Sequence, residues 1–276
     1  MGNGTNQGQL RRKLFAWNDR LLDYYGLALF LVLWQAAPSL GLVDRAFVPP
    51  PSTILSAALG LARGGDLLQH VGASLARVLV GFIVAVVTAV PLGFVLAGGA
   101  PPVARFLRPL FMLFSQVNAF SLFPIFILFF GIGESAKLAV IFWSSLWPVL
   151  FMTLAGVRGV DRALLKTARS MNAPRATVFL KVTLPASAPA VFTGIRMGGS
   201  IAFLMLIAAE MVGASQGLGW LIHNSQVNNI IPRVFAAALI IALLGVCLNF
   251  LLRCLEAHVV SWKPESLGGI HELPAL

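Results

Sequence analysis

The sequence predicts an all-α integral membrane protein with about six transmembrane helices, on three observations. Of its 276 residues, 58% are hydrophobic and 11% charged, against roughly 45–50% and about 25% in soluble domains, and the mean hydropathy is +0.86. Six stretches reach the length of about twenty apolar residues that crosses a hydrocarbon core of about 30 Å. They are approximately 24–42, 72–97, 109–132, 136–157, 188–212 and 234–260. The third observation is how Lys and Arg sort among the connections. Fourteen fall on the face that holds Arg11, Arg12, Lys13 and the segment 158–181, and four on the other: Arg45, Arg63, Lys137 and Arg233. Basic residues are held on the cytoplasmic side, so both termini are expected there.

The net charge of +10 therefore reads as membrane topology. So few charges among long apolar runs build no phosphate-binding face, which sets nucleic acid aside as a partner. Residues 1–20 are polar and then basic, without an apolar stretch or small-residue cleavage site, and read as a cytoplasmic segment rather than a removable signal peptide. Residues 21–262 read as one transmembrane domain and 263–276 as a cytoplasmic tail.

Beyond the first span, the outer connection 43–71 carries Phe47-Val48-Pro49-Pro50-Pro51-Ser52-Thr53. Its three prolines force an extended approach, and Ser52 is placed to cap the next helix. There Ile54, Ala57, Ala58 and Leu61 recur at i, i+3, i+4 and i+7, a stripe suited to lying on the membrane surface. Pro91, Pro124 and Pro148, in the second, third and fourth spans, each remove a backbone donor and are expected to kink or break a helix. The third span also holds Ser115, Gln116, Asn118 and Ser121 just before Pro124. Polar side chains inside spans face a bundle interior or a cavity, which makes these four pathway candidates. Glu210, near the outer end of the fifth span, is another, as a gating or a pairing group. Arg77 and Arg196 lie closest to membrane depth and either attract an anion or are held by snorkelling or pairing. Cys247 and Cys254 would lie about 10 Å apart on one helix, beyond disulfide reach.

His70, His223, His258 and His271 are scattered, without HExxH or ligand spacing, so no metal site is expected. The chain has no GxxxxGK[ST], so no ATP site is expected within it, and no nucleophile elbow is expected either. Gly194–Gly198 and Gly213–Gly217 match GxxxG, a pattern that arises freely in a glycine-rich membrane chain and is no more than compatible with close helix contact.

The densest charge lies in the inner connection between the fourth and fifth spans. A short helix from about Arg162 to Met171 would present Leu164, Leu165, Ala168 and Met171 as an apolar face, with Lys166 and Arg169 outside it. Asn172 readily takes the left-handed conformation that ends helices, and Pro174 stops any continuation before Arg175. The chain then returns to the membrane at Leu184-Pro185.

This segment resembles the EAA loop of ABC importer permeases: Glu-Ala-Ala, three residues, Gly, nine residues, Ile, one residue, Leu-Pro. Lys166-Thr167-Ala168 stand at the Glu-Ala-Ala, Asn172 at the Gly, Val182 at the Ile, and Leu184-Pro185 at the Leu-Pro. Leu154 to Asp161, Ala209 to Gly219, Phe47 to Thr53 and Phe130-Gly131-Ile132-Gly133 are similar to the nitrate/sulfonate/taurine branch of that family. The likeness covers about residues 24–262.

The resemblance implies a type I importer fold in which the short helix, a coupling helix, inserts into a cleft on a separate ATP-binding subunit. Its residues would be Leu165 to Arg169, Met171, Asn172, Arg175, Leu184 and Pro185. It implies two such ATPase subunits, which carry ATP and Mg, and a periplasmic or lipid-anchored substrate-binding protein. A second permease copy, a bacterial inner membrane and its lipids complete the expected setting. This chain would bind no cofactor and catalyse no bond chemistry, and the solute would be a small anion such as nitrate, a sulfonate or taurine. A secondary transporter or channel independent of ATP is the alternative, and Glu210 would be its lone intramembrane acid.

Overall fold

The computed structural model describes residues 25–99 and 101–260. The expected ends, 1–20 and 263–276, lie outside the described residues. In chain order the helices are α1 (Tyr25–Ser39), α2 (Pro51–Arg63), α3 (Asp66–Phe94), α4 (Pro101–Gln116), α5 (Phe123–Phe130) and α6 (Glu134–Arg158). There follow α7 (Arg162–Ser170), α8 (Arg175–Val178), α9 (Leu184–Met211), α10 (Leu218–Val227) and α11 (Ile231–Val259). Wide π turns, Val95–Gly99 and Phe179–Thr183, extend α3 and join α8 to α9. The described residues contain no strand.

Among the described residues, four helical stretches are long and apolar enough to cross a membrane: Asp66–Gly99, Glu134–Arg158, Arg175–Met211 and Ile231–Val259. They correspond to the second, fourth, fifth and sixth expected spans. The described part of the first is the 15-residue α1. The third differs from expectation, because its helix stops at Gln116 and resumes at Phe123.

The chain divides into two compact units, one running up to Leu67 and including Ile222–Ala238, the other comprising Leu68–Leu221 and the residues after Ala238. In the first, Gln35 clasps Ser52, donating to its hydroxyl (3.1 Å) and accepting from its backbone N–H (3.2 Å). Ser52 therefore does not cap α2; Pro50 stands at the cap position, with prolines opening the helix. Ile54 and Leu61 are the buried residues of α2, on the expected stripe.

In the second unit α9 packs along α6 on small residues. A Cβ at Gly194 would stand 2.6 Å from Met152 Cβ, and one at Gly198 2.9 Å from Val149 Cγ2. Backbones approach this closely in membrane bundles only where side chains are absent, so the Gly194–Gly198 match is a helix contact. Gly213–Gly217 falls instead in the turn after α9. Outward residues such as Ile83, Val87, Leu204, Val246 and Phe250 are exposed and apolar, as a lipid-facing surface requires.

Pro148 sits within an unbroken α6, and Pro124 occupies the first turn of α5, where an N–H would be unpaired in any case. Pro91 lies inside α3, four residues before the π turn begins. The disruption is thus displaced from the prolines themselves: neighbouring backbone accommodates them, and the break in the third span lies at 117–122.

Candidate functional site: a broken span, a buried charge cluster and a surface helix

The break between α4 and α5 is held by local bonds. Asn118 Oδ1 accepts from Phe120 N–H (2.9 Å), and the Asn118 carbonyl accepts from Ser121 N–H (3.0 Å). Irregular backbone at membrane depth is tolerated only against protein or a cavity. Here it borders a cavity of about 430 Å³, walled by Ser115, Gln116 and Asn118 on one side, Trp143 and Trp147 of α6 on another, and Met205 of α9. Three of the expected pathway residues are thereby brought together; Ser121 is exposed outside that wall.

The indole Nε1 atoms of Trp143 and Trp147 are buried and have no hydrogen-bond partner. The two rings meet edge to face with centroids 5.2 Å apart, and Phe111, Phe114 and Phe151 contact Trp147. An unpaired buried N–H costs about 1–3 kcal/mol. Pro148 has no N–H, so the carbonyl of Ser144, also on the wall, lacks its helical donor.

Glu210 is elsewhere, in a cluster at the Glu134 end of α6. Only 1% exposed, its carboxylate accepts from Arg77 Nη1 (2.6 Å), Ser74 Oγ (2.8 Å) and Gly219 N–H (2.8 Å). Arg77 also donates through Nε and Nη2 to Glu134 (2.5 and 2.9 Å) and through Nη1 to the Gln216 carbonyl (2.7 Å). Lys137 donates to Glu134 (3.1 Å). Ser74 Oγ accepts from Leu218 N–H (2.8 Å) and His70 Nδ1 from Gly217 N–H (3.1 Å). Two cations meet two carboxylates, and every backbone donor from 217 to 219 is engaged.

Gly217-Leu218-Gly219 follows from this cluster. Gly217 has φ +126°, and a Cβ there would overlap the Glu210 carboxylate; a Cβ on Gly219 would lie 2.7 Å from Glu210 Cβ. Both glycines let the backbone wrap the acid. Arg77 is fully paired, and Arg196 lies 3.3 Å from Glu256. Lys137, expected in an outer connection, is a buried member of α6.

α7 forms where the sequence places it. Asp161 caps it by accepting from Ala163 N–H (2.8 Å), a contact the sequence reading missed. Asn172 has φ +54°, and Ala173 N–H donates to the Ala168 carbonyl (3.2 Å) while Asn172 N–H donates to that of Arg169 (2.9 Å). That pair of bonds is a Schellman ending. The expected apolar face divides in two. Leu165 and Ala168 are half-buried, whereas Leu164 and Met171 are 52% and 78% exposed. Leu165 and Arg169 border a cavity of about 920 Å³ that reaches Phe94 and Gly98, where Phe94 meets Phe179 edge to face. Lys166, Thr167 and Arg175 are exposed; Leu184 and Pro185 open α9.

The described residues thus form a helical membrane bundle with a broken polar stretch, an ion-paired cluster and a capped helix between two long apolar helices. The chain belongs to the family of binding-protein-dependent transport system inner membrane components, matched over residues 89–261, the permeases of ABC importers. It is 32% identical to the taurine transport system permease protein TauC of Escherichia coli (strain K12), over 87% of this chain and 88% of that one. To the putative aliphatic sulfonates transport permease protein SsuC of Bacillus subtilis (strain 168) it is 32% identical, over 93% and 92%. It is 31% identical to the nitrate import permease protein NrtB of Leptolyngbya laminosa, over 70% and 69%. Its fold matches the inward-facing MetNI methionine ABC transporter with a TM-score of 0.58 at 19% identity, covering 71% of this chain and 95% of that one.

Proposed function

We propose that this chain forms the translocation pathway of an ATP-driven importer for a small anion of the sulfonate, taurine or nitrate type. The observation that carries the substrate class is the set of relatives, whose names carry the solutes taurine, aliphatic sulfonates and nitrate. The polar break at Ser115, Gln116 and Asn118 supports a pathway there, with Ser121 near its edge and Glu210 as a structural pairing group. Two copies of the chain, two ATPase subunits holding ATP and Mg, and a substrate-binding protein make the working assembly. Both termini and α7 face the cytoplasm. Residues 21–262 act as one membrane domain, with 1–20 and 263–276 as cytoplasmic ends.

In this reading α7 couples ATP-driven closure of the ATPase subunits to the bundle, moving as a rigid body with α6 and α9. Leu164 and Met171 supply apolar anchors, flanked by Lys166, Thr167 and Arg169, and Arg175 follows the Asn172 turn. Leu165 and Ala168 seat the helix from below, and Leu184-Pro185 begins the return span. The test is purification of the intact transporter carrying Leu164→Asp with Met171→Asp. Retention of the ATPase subunit should fall about tenfold or more, with the permease's thermal midpoint unchanged because both side chains are exposed. Undiminished retention with normal uptake would sink the coupling assignment. Flux driven by an ion gradient without any ATPase partner would sink the importer reading.

A further inference from the structure

We propose that the cleft between α4 and α6, at the end where α6 leads into α7, binds the headgroup of an anionic phospholipid through Arg108 and Arg158. The site goes beyond the transport reading and depends on neither the solute nor the ATPase contact.

The depth of the cleft sets its chemistry. α6 runs for 25 residues, a rise of about 37 Å at about 1.5 Å per residue, which exceeds a hydrocarbon core of about 30 Å. Arg158, its last residue, therefore stands at the headgroup level of a bilayer. Arg108 borders the same cavity from α4. Of the nine residues around this space of about 200 Å³ the other seven are apolar, among them Phe111 and Met112 of α4 and Phe151 and Leu154 of α6. The volume equals about six or seven waters at roughly 30 Å³ each, room for a phosphodiester and the adjoining glycerol carbons. Met112 is 47% exposed, so the cleft opens outward and acyl chains can leave along the apolar surface of α4. A hydrated inorganic ion gains nothing from such walls, whereas an amphiphile meets both parts of the site.

Charge identifies the ligand as an anion. Neither arginine forms an ion pair among the described residues, whose pairs are those of Arg77, Lys137 and Arg196. From Leu67 to Ala209 the chain holds two acids, Glu134 and Asp161. The first stands at the opposite end of α6 and the second caps α7. The acceptors that compete are backbone carbonyls where the π turn Val95–Gly99 and α6 end, and a helix C-terminus carries about half a negative charge. The N-terminus of α4 returns about half a positive charge, so two guanidiniums leave a positive surplus at the cleft.

Snorkelling to the interface accounts for an arginine at this depth. It does not account for two, from different helices, that border one cleft where their charges repel. A phosphodiester between them removes that repulsion, and the planar guanidinium matches phosphate oxygens in paired hydrogen bonds. Basic pockets between transmembrane helices at the cytoplasmic surface take headgroups of this kind.

The permease, purified in neutral detergent with the subunits that accompany it, is titrated with dioleoyl phosphatidylglycerol or dioleoyl phosphatidylcholine, and bound lipid is counted by native mass spectrometry. Phosphatidylglycerol should bind about tenfold more tightly. Arg108→Gln with Arg158→Gln should remove that preference. Arg105→Gln, exposed on the same helix but off the wall of the cleft, should keep it.

Equal binding of the two lipids by the unsubstituted protein overturns the proposal, and is the result expected if a second copy of the chain covers the cleft. A preference that survives the double substitution overturns it as well. An equal loss from Arg105→Gln does the same, because the attraction would then belong to the basic surface as a whole. So does displacement of the lipid by glycerol 3-phosphate, which would make the cleft a site for a soluble phosphate. The comparison of lipids on the unsubstituted protein decides whether or not the double variant folds.

Discussion

Two polar clusters sit on the same helix and are treated in opposite ways. At the start of α6, Glu134 and Lys137 join Arg77, Ser74 and Glu210 in a set whose charges balance, with Glu210 enclosed by donors and Glu134 on the exposed side of the set. Halfway along, Trp143 and Trp147 turn buried N–H groups toward no partner, beside amides that are also incompletely used. A saturated cluster has nothing left to offer a solute and holds elements together. An unsaturated one carries a standing energetic cost that a ligand can relieve. The difference separates a closed set of ion pairs from two unpaired donors along one helix.

Removing Glu210 should break the fastened end most severely. Glu210→Ala strands the Gly219 N–H and one face of a guanidinium whose side chain is 6% exposed. Removing one partner of a buried pair costs about 3–5 kcal/mol. The expected outcome is a large drop in the temperature at which the detergent-solubilised permease loses its monodisperse state. Arg77→Leu added to it should recover part of the loss by removing the stranded charge. If Glu210→Ala melts like the parent, the cluster does not fasten α9 to α3.

Gly217→Ala tests the same end more gently. The backbone angle of +126° and the overlap of a Cβ with the Glu210 carboxylate together cost about 1–3 kcal/mol. The same thermal measurement should show a smaller decrease than for Glu210→Ala. A neutral result would mean that the turn relaxes without disturbing the acid.

How much of this was legible in the sequence differs between the two clusters. Span positions follow from apolar length, and the ending of α7 follows from Asn172 and Pro174, because both depend on local chemistry alone. The cavity residues Ser115, Gln116 and Asn118 are legible as polar groups out of place in an apolar run. The partners of Glu210 were harder to see, because Arg77, Glu134 and Lys137 lie on helices brought together by tertiary packing. A usable signal existed in that Arg77, Glu134, Lys137 and Glu210 fall within or beside apolar runs and their charges cancel. Trp143 and Trp147 gave none, since a tryptophan in an apolar span reads as packing until its N–H is seen to lack a partner. Periodicity alone does not say that Leu165 and Ala168 rather than Leu164 and Met171 turn inward, because a nine-residue helix joined to two spans presents the face its connections dictate.

Trp147→Phe is the substitution in which stability and transport should separate. Phenylalanine keeps a ring against Phe111, Phe114 and Trp143 and deletes a donor that had no partner. The lost packing and the relieved N–H offset each other, so the thermal midpoint should stay within about 1 kcal/mol equivalent of the parent. Uptake of the solute into proteoliposomes bearing the complete transporter should nonetheless fall about tenfold at limiting solute, with ATP hydrolysis by the partner subunits retained. If midpoint and uptake fall together, Trp147 is a packing residue, and the contrast between the two ends of the helix is one of degree. If uptake falls alone, Trp147 acts in transport beyond its part in packing.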